Sequence, residues 1–208
     1  MTTPTASVRR TRSDGDRTRT QILATAAALA TVDGLDRLSI GRLADHIGIS
    51  KSGLFAHFRS KEALQLAVID GAWITFDHEV VHPALAAAPG RATVLALIDR
   101  FLDHLERRVF PGGCFFAATM VEMHLRPGAV ASRLTEFDRY WLGLLREHVT
   151  LGQAAGEIDP AADPDQLVFA VESHVLHAHV RFPMHGDRTI LERAGRAVRH
   201  VVGEPNAA

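Results

Sequence analysis

At 208 residues, 47% hydrophobic and 23% charged, the chain is long enough to bury one or two cores, and its apolar runs are too short to span a bilayer. The net charge of −1 is unevenly spread: residues 1–60 carry nine Lys/Arg against five Asp, a net of +4, which leaves −5 for the remainder, so an anionic partner is expected at the front only. A single cysteine, Cys114, excludes an intrachain disulfide framework and fits a reducing, cytoplasmic setting.

Residues 1–16 are rich in Thr, Ser, Arg and Asp and have no hydrophobic period, which reads as a disordered basic arm. No apolar segment of the secretory type follows its arginines. A helical pattern starts at Thr18, with Ile22, Leu23, Ala26, Ala27, Leu29 and Ala30 at spacings of three and four, and stops at Gly34. Ser39 is placed to cap a short helix that buries Ile40, Leu43, Ala44 and Ile47, and Gly48 ends it. Ser50 caps Lys51–Phe58, in which Leu54 and Phe58 share a face. Ser60 caps a longer helix, with Glu62 in its first turn, that runs towards Val81 and is expected to stop at Pro83.

Ala84–Arg91 reads as a connection. Four more helical stretches follow: Thr93–Val109, Phe115–Leu125, a long one from Pro127 to about Ala154, and Asp165–Phe182 with Asp163-Pro164 as cap and first position. Pro183 and Gly186 are expected to form a turn before a last helix, capped by Asp187, that reaches Val202. No alternating strand pattern occurs. The fold class is therefore all-α with about nine helices: an N-terminal three-helix unit over 17–64, continuing into a linker helix to about 82, and a C-terminal helical domain over 91–202.

The stretch Leu38–Leu64, LSIGRLADHIGISKSGLFAHFRSKEAL, carries the chemistry. Two short amphipathic helices joined at Gly48–Ser50 need their neighbours as packing partners, and this leaves Lys51–Phe58 as the exposed member, presenting Lys51, Ser52, Phe55 and His57. A helix of this width fits the DNA major groove, and its free N-terminal amides and Lys51 suit phosphate. Gly53 offers a place where backbone approaches the nucleic acid closely, or is simply tolerated in a short helix.

This stretch resembles the DNA-binding domain of the tetracycline-repressor family, whose second and third helices carry a pattern of the form A…GVS-K-G-x-L-Y-x-H-F-x-S-K-E-x-L. Here it stands as Ala44 to Ser50, then Lys51-Ser52-Gly53-Leu54-Phe55-Ala56-His57-Phe58-Arg59-Ser60-Lys61-Glu62-Ala63-Leu64. About 50 residues match strongly, including Arg19–Gly34 upstream. The resemblance implies that Ser39 and Arg42 contact phosphate, that Ser50, Lys51, Ser52 and Gly53 open the recognition helix, that His57 lies near the backbone and that Lys61 reaches phosphate. Phe55 occupies the family's usual tyrosine position and cannot make that hydroxyl's phosphate contact. An apolar contact with a thymine methyl is its alternative.

The C-terminal half is rich in bulky apolar groups. Phe76, Phe101, Phe116, Met120, Met123 and Trp141, with His104 and His174 as polar groups, are the candidate walls of a cavity between helices. Glu122 and His124 are further polar candidates. Two apolar stripes, Leu167, Val171, Val175 and Ala178 on one helix and Ala194 and Val198 on the next, are the candidate dimer surface; the resemblance implies the same arrangement. His174, His177 and His179 lie close in sequence, but no metal site is expected without further converging ligands. Cys114, after Gly112-Gly113 at a helix start, reads as a packing residue or a redox-sensitive thiol.

The expectation is a homodimeric regulator that binds a near-palindromic double-stranded operator. A small apolar or aromatic-containing effector releases it, with no cofactor, no membrane partner and no catalytic residues. An enzyme in the second domain and an adaptor that has lost DNA binding are the competing classes.

Overall fold

The computed structural model describes the backbone of residues 6–203 and the side chains of residues 18–203. Its regular elements are all helical: α1 (Ala6–Asp33), α2 (Ile40–Ile47), α3 (Lys51–His57), α4 (Lys61–Phe76), α5 (Arg91–Glu106), α6 (Phe115–Met123), α7 (Ala129–Ala154), α8 (Pro164–His185) and α9 (Arg188–Val201). Between α4 and α5 the rod is prolonged by a wider π turn at Asp77–Val81 and one helical turn at His82–Ala84.

The caps form where the sequence places them. Ser39 Oγ accepts from the Arg42 amide, Ser50 Oγ from Gly53 and Ser60 Oγ from Ala63. Each satisfies an amide that the first turn leaves without an intrahelical partner. Gly48 ends α2 in the left-handed region (φ 72°) with its N–H on the Ala44 carbonyl, a conformation that glycine adopts without a Cβ clash. α2 buries Ile40, Leu43 and Ala44, and α3 buries Leu54 completely. Neither helix is long enough to persist alone. Burial of Leu54 contributes about 2–3 kcal/mol to holding α3 in place.

Three expectations change. α1 begins at Ala6, so residues 6–16 continue the first helix instead of forming a disordered arm; residues 1–5 lie outside the described residues. No proline stands between Pro4 and the end of α1, and each added residue of an existing helix gains a bond without a new nucleus. The rod after α4 passes Pro83, because the π turn changes the bonding register just before the residue that lacks a donor. α8 runs through Pro183 to His185, and the left-handed Gly186 is its actual stop.

α1 lies across α4 and α6, α7 packs on α4, α6 and α8, and α8 pairs along its length with α9. The core is one continuous body from Ile22 in the head to Val202. Among the described residues no helix is long and apolar enough to cross a membrane.

Candidate DNA-binding surface and ligand domain

The polar face of the head gathers residues from three helix starts. Lys51 Nζ stands 3.8 Å from where a Cβ on Gly41 would lie, which sets the start of α3 beside the start of α2 with Ser39 and Arg42. Ser50, Lys51, Ser52, Gly53 and Phe55 are exposed, with Phe55 at 53%, while His57 is half-buried and Leu54 and Phe58 point inward. The structure thus presents the predicted outward residues together. Gly53 has a local reason as well: a Cβ there would come within 3.1 Å of Ser50 Oγ and crowd the cap oxygen. Ser50 and Ser52 hydroxyls lie 3.1 Å apart.

Two predicted phosphate ligands are engaged by carboxylates. Arg42 pairs with Asp33 at 3.2 Å, and Lys61 pairs with Asp36 at 3.1 Å. All four side chains are well exposed, so these pairs are weak and screened, and a phosphate competes for the cations. Asp36 also holds Arg126 at 2.5 Å. Arg126 first and then Lys61 keep the Asp36 carboxyl below its ordinary range. Arg19 is engaged within the chain. It donates to the His57 carbonyl (3.0 Å) and covers the Phe58 ring, tying α1 to the end of α3.

Sequence reasoning missed the joint between head and ligand domain. The Glu122 carboxylate on α6 accepts from the amides of Leu35 (2.7 Å) and Asp36 (3.0 Å), the turn that feeds α2. Gly34 lies so close beneath it that a Cβ would meet the carboxylate at 2.7 Å. Thr31 Oγ1 accepts from the Gly112 amide just before α6 (3.1 Å), and Gln65 donates to the Leu35 carbonyl inside the core (2.8 Å). Glu122 stood out only as a polar residue in an apolar helix. Its partners lie 86 and 87 positions away, so no local pattern reveals them.

In the ligand domain Phe76, Phe101, Phe116 and Trp141 do not surround an open cavity. Phe76, 1% exposed, is the hub of edge-to-face contacts with Phe101, Phe116, Phe137 and Trp141, and Phe116 stacks flat on Phe137. Complementary aromatic packing fills the space. Trp141 Nε1 donates to Glu172 at 2.9 Å, and burial raises the Glu172 carboxyl. Met120 and Met123 do line a cavity of about 240 Å³ between α6 and α7, with Leu134, Thr135 and Asp138. His174 is half-buried on α8 and lines none of the cavities described here. A second cavity, about 380 Å³, opens between α1, α4 and the connection before α6. His104 is 1% exposed with neither ring nitrogen hydrogen-bonded, and burial pushes it down to about 4. Cys114 is buried and its thiol is pushed up to about 11 by burial, which makes it a packing residue and not a ready thiolate.

The predicted dimer stripe also faces inward. Val171, Val175 and Ala178 on α8 and Ala194 and Val198 on α9 are at most 7% exposed in the single chain, and Leu167 packs half-buried against the same core. Each helix needs that face for its own chain. The opposite face of α8 is the apolar one left open: Phe169 (67%), Leu176 (38%), Val180 (51%) and Met184 (70%).

An all-helical head with a capped, exposed third helix, joined to a helical second domain, defines a helix-turn-helix DNA-binding protein. Residues 22–68 match the profile of the bacterial regulatory proteins of the tetR family, and residues 90–198 match the tetracyclin repressor-like C-terminal domain. The chain belongs to the tetracycline-repressor family of transcriptional regulators. Among solved structures it is similar to a TetR regulator from Chloroflexus aurantiacus (29% identity over 92% of this chain and 98% of that one, TM-score 0.81). It is also similar to a TetR-family regulator from Cytophaga hutchinsonii (21%, 94% and 98%, TM-score 0.77). A third similar structure is AibR in complex with isovaleryl coenzyme A and operator DNA (22%, 90% and 100%, TM-score 0.74). No protein of curated function matches the chain.

Proposed function

We propose that the chain is a homodimeric repressor that holds a near-palindromic operator and leaves it when a small, largely apolar effector enters the second domain. The observation that carries this reading is the joined polar face of α2 and α3. Ser39, Arg42, Ser50, Lys51, Ser52 and Lys61 stand at helix starts, where amide donors and positive dipole ends favour phosphate. Phe55 is open to a base edge. The exposed stripe Phe169, Leu176, Val180 and Met184 supports dimerisation through α8, by isologous contact of one face with its copy. Two heads related by a two-fold axis read half-sites about one helical turn, roughly 34–36 Å, apart.

Release requires that effector and operator prefer different arrangements. Glu122 supplies the mechanical link, because α6 holds the turn that feeds α2 while Met120 and Met123 on the same helix face a cavity. AibR, with an acyl-coenzyme A and operator DNA in one complex, supports the pairing of small ligand and DNA on this fold.

Selection of double-stranded fragments from a random pool by the purified chain tests the proposal. A near-palindromic site is expected to be enriched, and failure to enrich any sequence at low salt contradicts it.

A further inference from the structure

Two observations meet at Phe110. On one side lies the cavity of about 380 Å³ at the seam of head and ligand domain. Leu23, Ala24 and Ala27 of α1, Gly71 and Ile74 of α4, and Phe110 itself line it. Ile74 is 72% exposed, so the seam is open to solvent, and its walls are mostly apolar, with Thr20 and Thr75 as the polar side chains. On the other side lies His104, whose ring is 5.7 Å from that of Phe110 and 6.0 Å from that of Phe76. Both imidazole nitrogens are sealed from water and neither has a partner. A buried donor and acceptor left together without partners is uncommon and calls for a cause.

Phe110 is the partition between them, and it sits on the irregular connection between α5 and α6. Arg108 is the one non-glycine residue with positive φ (51°) among the described residues, a strained conformation for a side chain of that size. The connection's backbone is held by the Val109 amide on the His104 carbonyl (3.3 Å), the Gly113 amide on the Phe110 carbonyl (3.1 Å) and the Gly112 amide on Thr31 (3.1 Å), which leaves the Phe110 ring as the part that can move. A turn of the Phe110 ring would join the seam cavity to His104.

We infer that this seam is a binding site for a small aryl alcohol, with its ring between α1 and α4 and its hydroxyl on His104 behind a displaced Phe110. The inference deepens the effector reading and rests on it for its regulatory meaning. The ligand class follows from the chemistry. A neutral imidazole turns either its N–H or its lone pair toward the seam, depending on tautomer, and a hydroxyl, which both donates and accepts, can meet either one. Burial keeps His104 neutral at neutral pH, so it is a poor partner for a carboxylate. An ammonium would use only the acceptor and would bury its charge among apolar walls. The volume suits one or two fused rings. A ring wedged there touches α1 and α4 at once, the two helices that carry α2 and α3.

Calorimetric titration of the full chain with 2-naphthol and with naphthalene tests the site. The account expects one 2-naphthol per chain, bound at least about tenfold more tightly than naphthalene. His104→Phe, which keeps the volume, should erase that difference, and Ala24→Trp, which fills the seam, should abolish binding of both probes. Absence of 2-naphthol binding, equal affinity for the two probes, or binding unmoved by Ala24→Trp overturns the inference. Operator binding measured without probe separates this from the regulator reading. Naphthol binding without DNA binding keeps the site and removes its regulatory role. DNA binding without naphthol binding overturns the site and leaves the regulator reading standing.

Discussion

The head and the ligand domain are built from the same kinds of helix, yet they differ in how their side chains acquire a role. In the head the roles are local. Ser39, Ser50 and Ser60 each cap an amide three residues on, and Gly48 turns the chain where it stands. In the ligand domain the roles are set by distant partners. Val171 and Phe169 are two positions apart on α8, yet the first is fully buried and the second 67% exposed. The difference teaches that a recognition surface made of helix starts is a short-range object, whereas the inside and outside of a bundle are decided by which helices close over it.

The comparison breaks most severely at the open face of α8. Phe169→Asp with Met184→Asp places charges at both ends of the proposed two-fold contact. Sedimentation is expected to show monomers at micromolar concentration. Operator affinity should fall about a hundredfold, because each head then binds without its tethered partner. Dimers that persist unchanged would remove α8 from the interface.

In the head, Lys51→Ala with Lys61→Ala should weaken operator binding by roughly ten- to a hundredfold and flatten the salt dependence by about 3–4 in slope per dimer. Loss of affinity with no change of slope would mean that the lysines do not meet phosphate.

Within the ligand domain His104 makes stability depend on pH. An unfolded imidazole takes its proton near 6.5, whereas His104 in the fold resists it down to about 4. Between these values the unfolded chain binds more protons, so stability falls as pH drops from about 6.5 to about 4, by about 3 kcal/mol from this group. Denaturant titrations at pH 7 and pH 4.5 check it, with His104→Phe expected to flatten that part of the acid limb. An identical acid limb in the variant would contradict the burial argument.

At the joint, Glu122→Ala leaves the Leu35 and Asp36 amides without their acceptor and is expected to cost about 2 kcal/mol in urea unfolding. Glu122→Gln should recover part of it, and faster exchange of those two amides should accompany the loss. The smallest effect belongs to Phe55→Tyr, which supplies the missing hydroxyl at an exposed position. It should tighten operator binding by about three- to tenfold, and no change would place Phe55 away from the backbone.

The all-helical class, the three-helix head and the outward face of α3 were legible in the sequence, because capping and i, i+4 spacing act over a few residues. The family pattern from Ala44 to Leu64 added the phosphate roles. The ligand wall was not legible. Phe76 and Phe101 look the same in sequence whether they line a cavity or fill one, and the choice depends on Phe137 and Trp141 arriving from another helix. The same holds for the dimer stripe: periodicity finds an apolar face on α8 but does not say that α7 and α9 cover it within the chain. Residues 6–16 show the opposite case: they have no hydrophobic period, yet their backbone is helical, because periodicity reports packing and a helix can extend without it.

The central claim is that the face of α2 and α3 grips the phosphates of a double-stranded operator. Its most direct test is the dissociation constant for the selected site between 50 and 200 mM salt. The account predicts a loss of affinity of about 10³-fold or more across that range, as counterions are released by several phosphate contacts per dimer. An affinity that does not move with salt would contradict it.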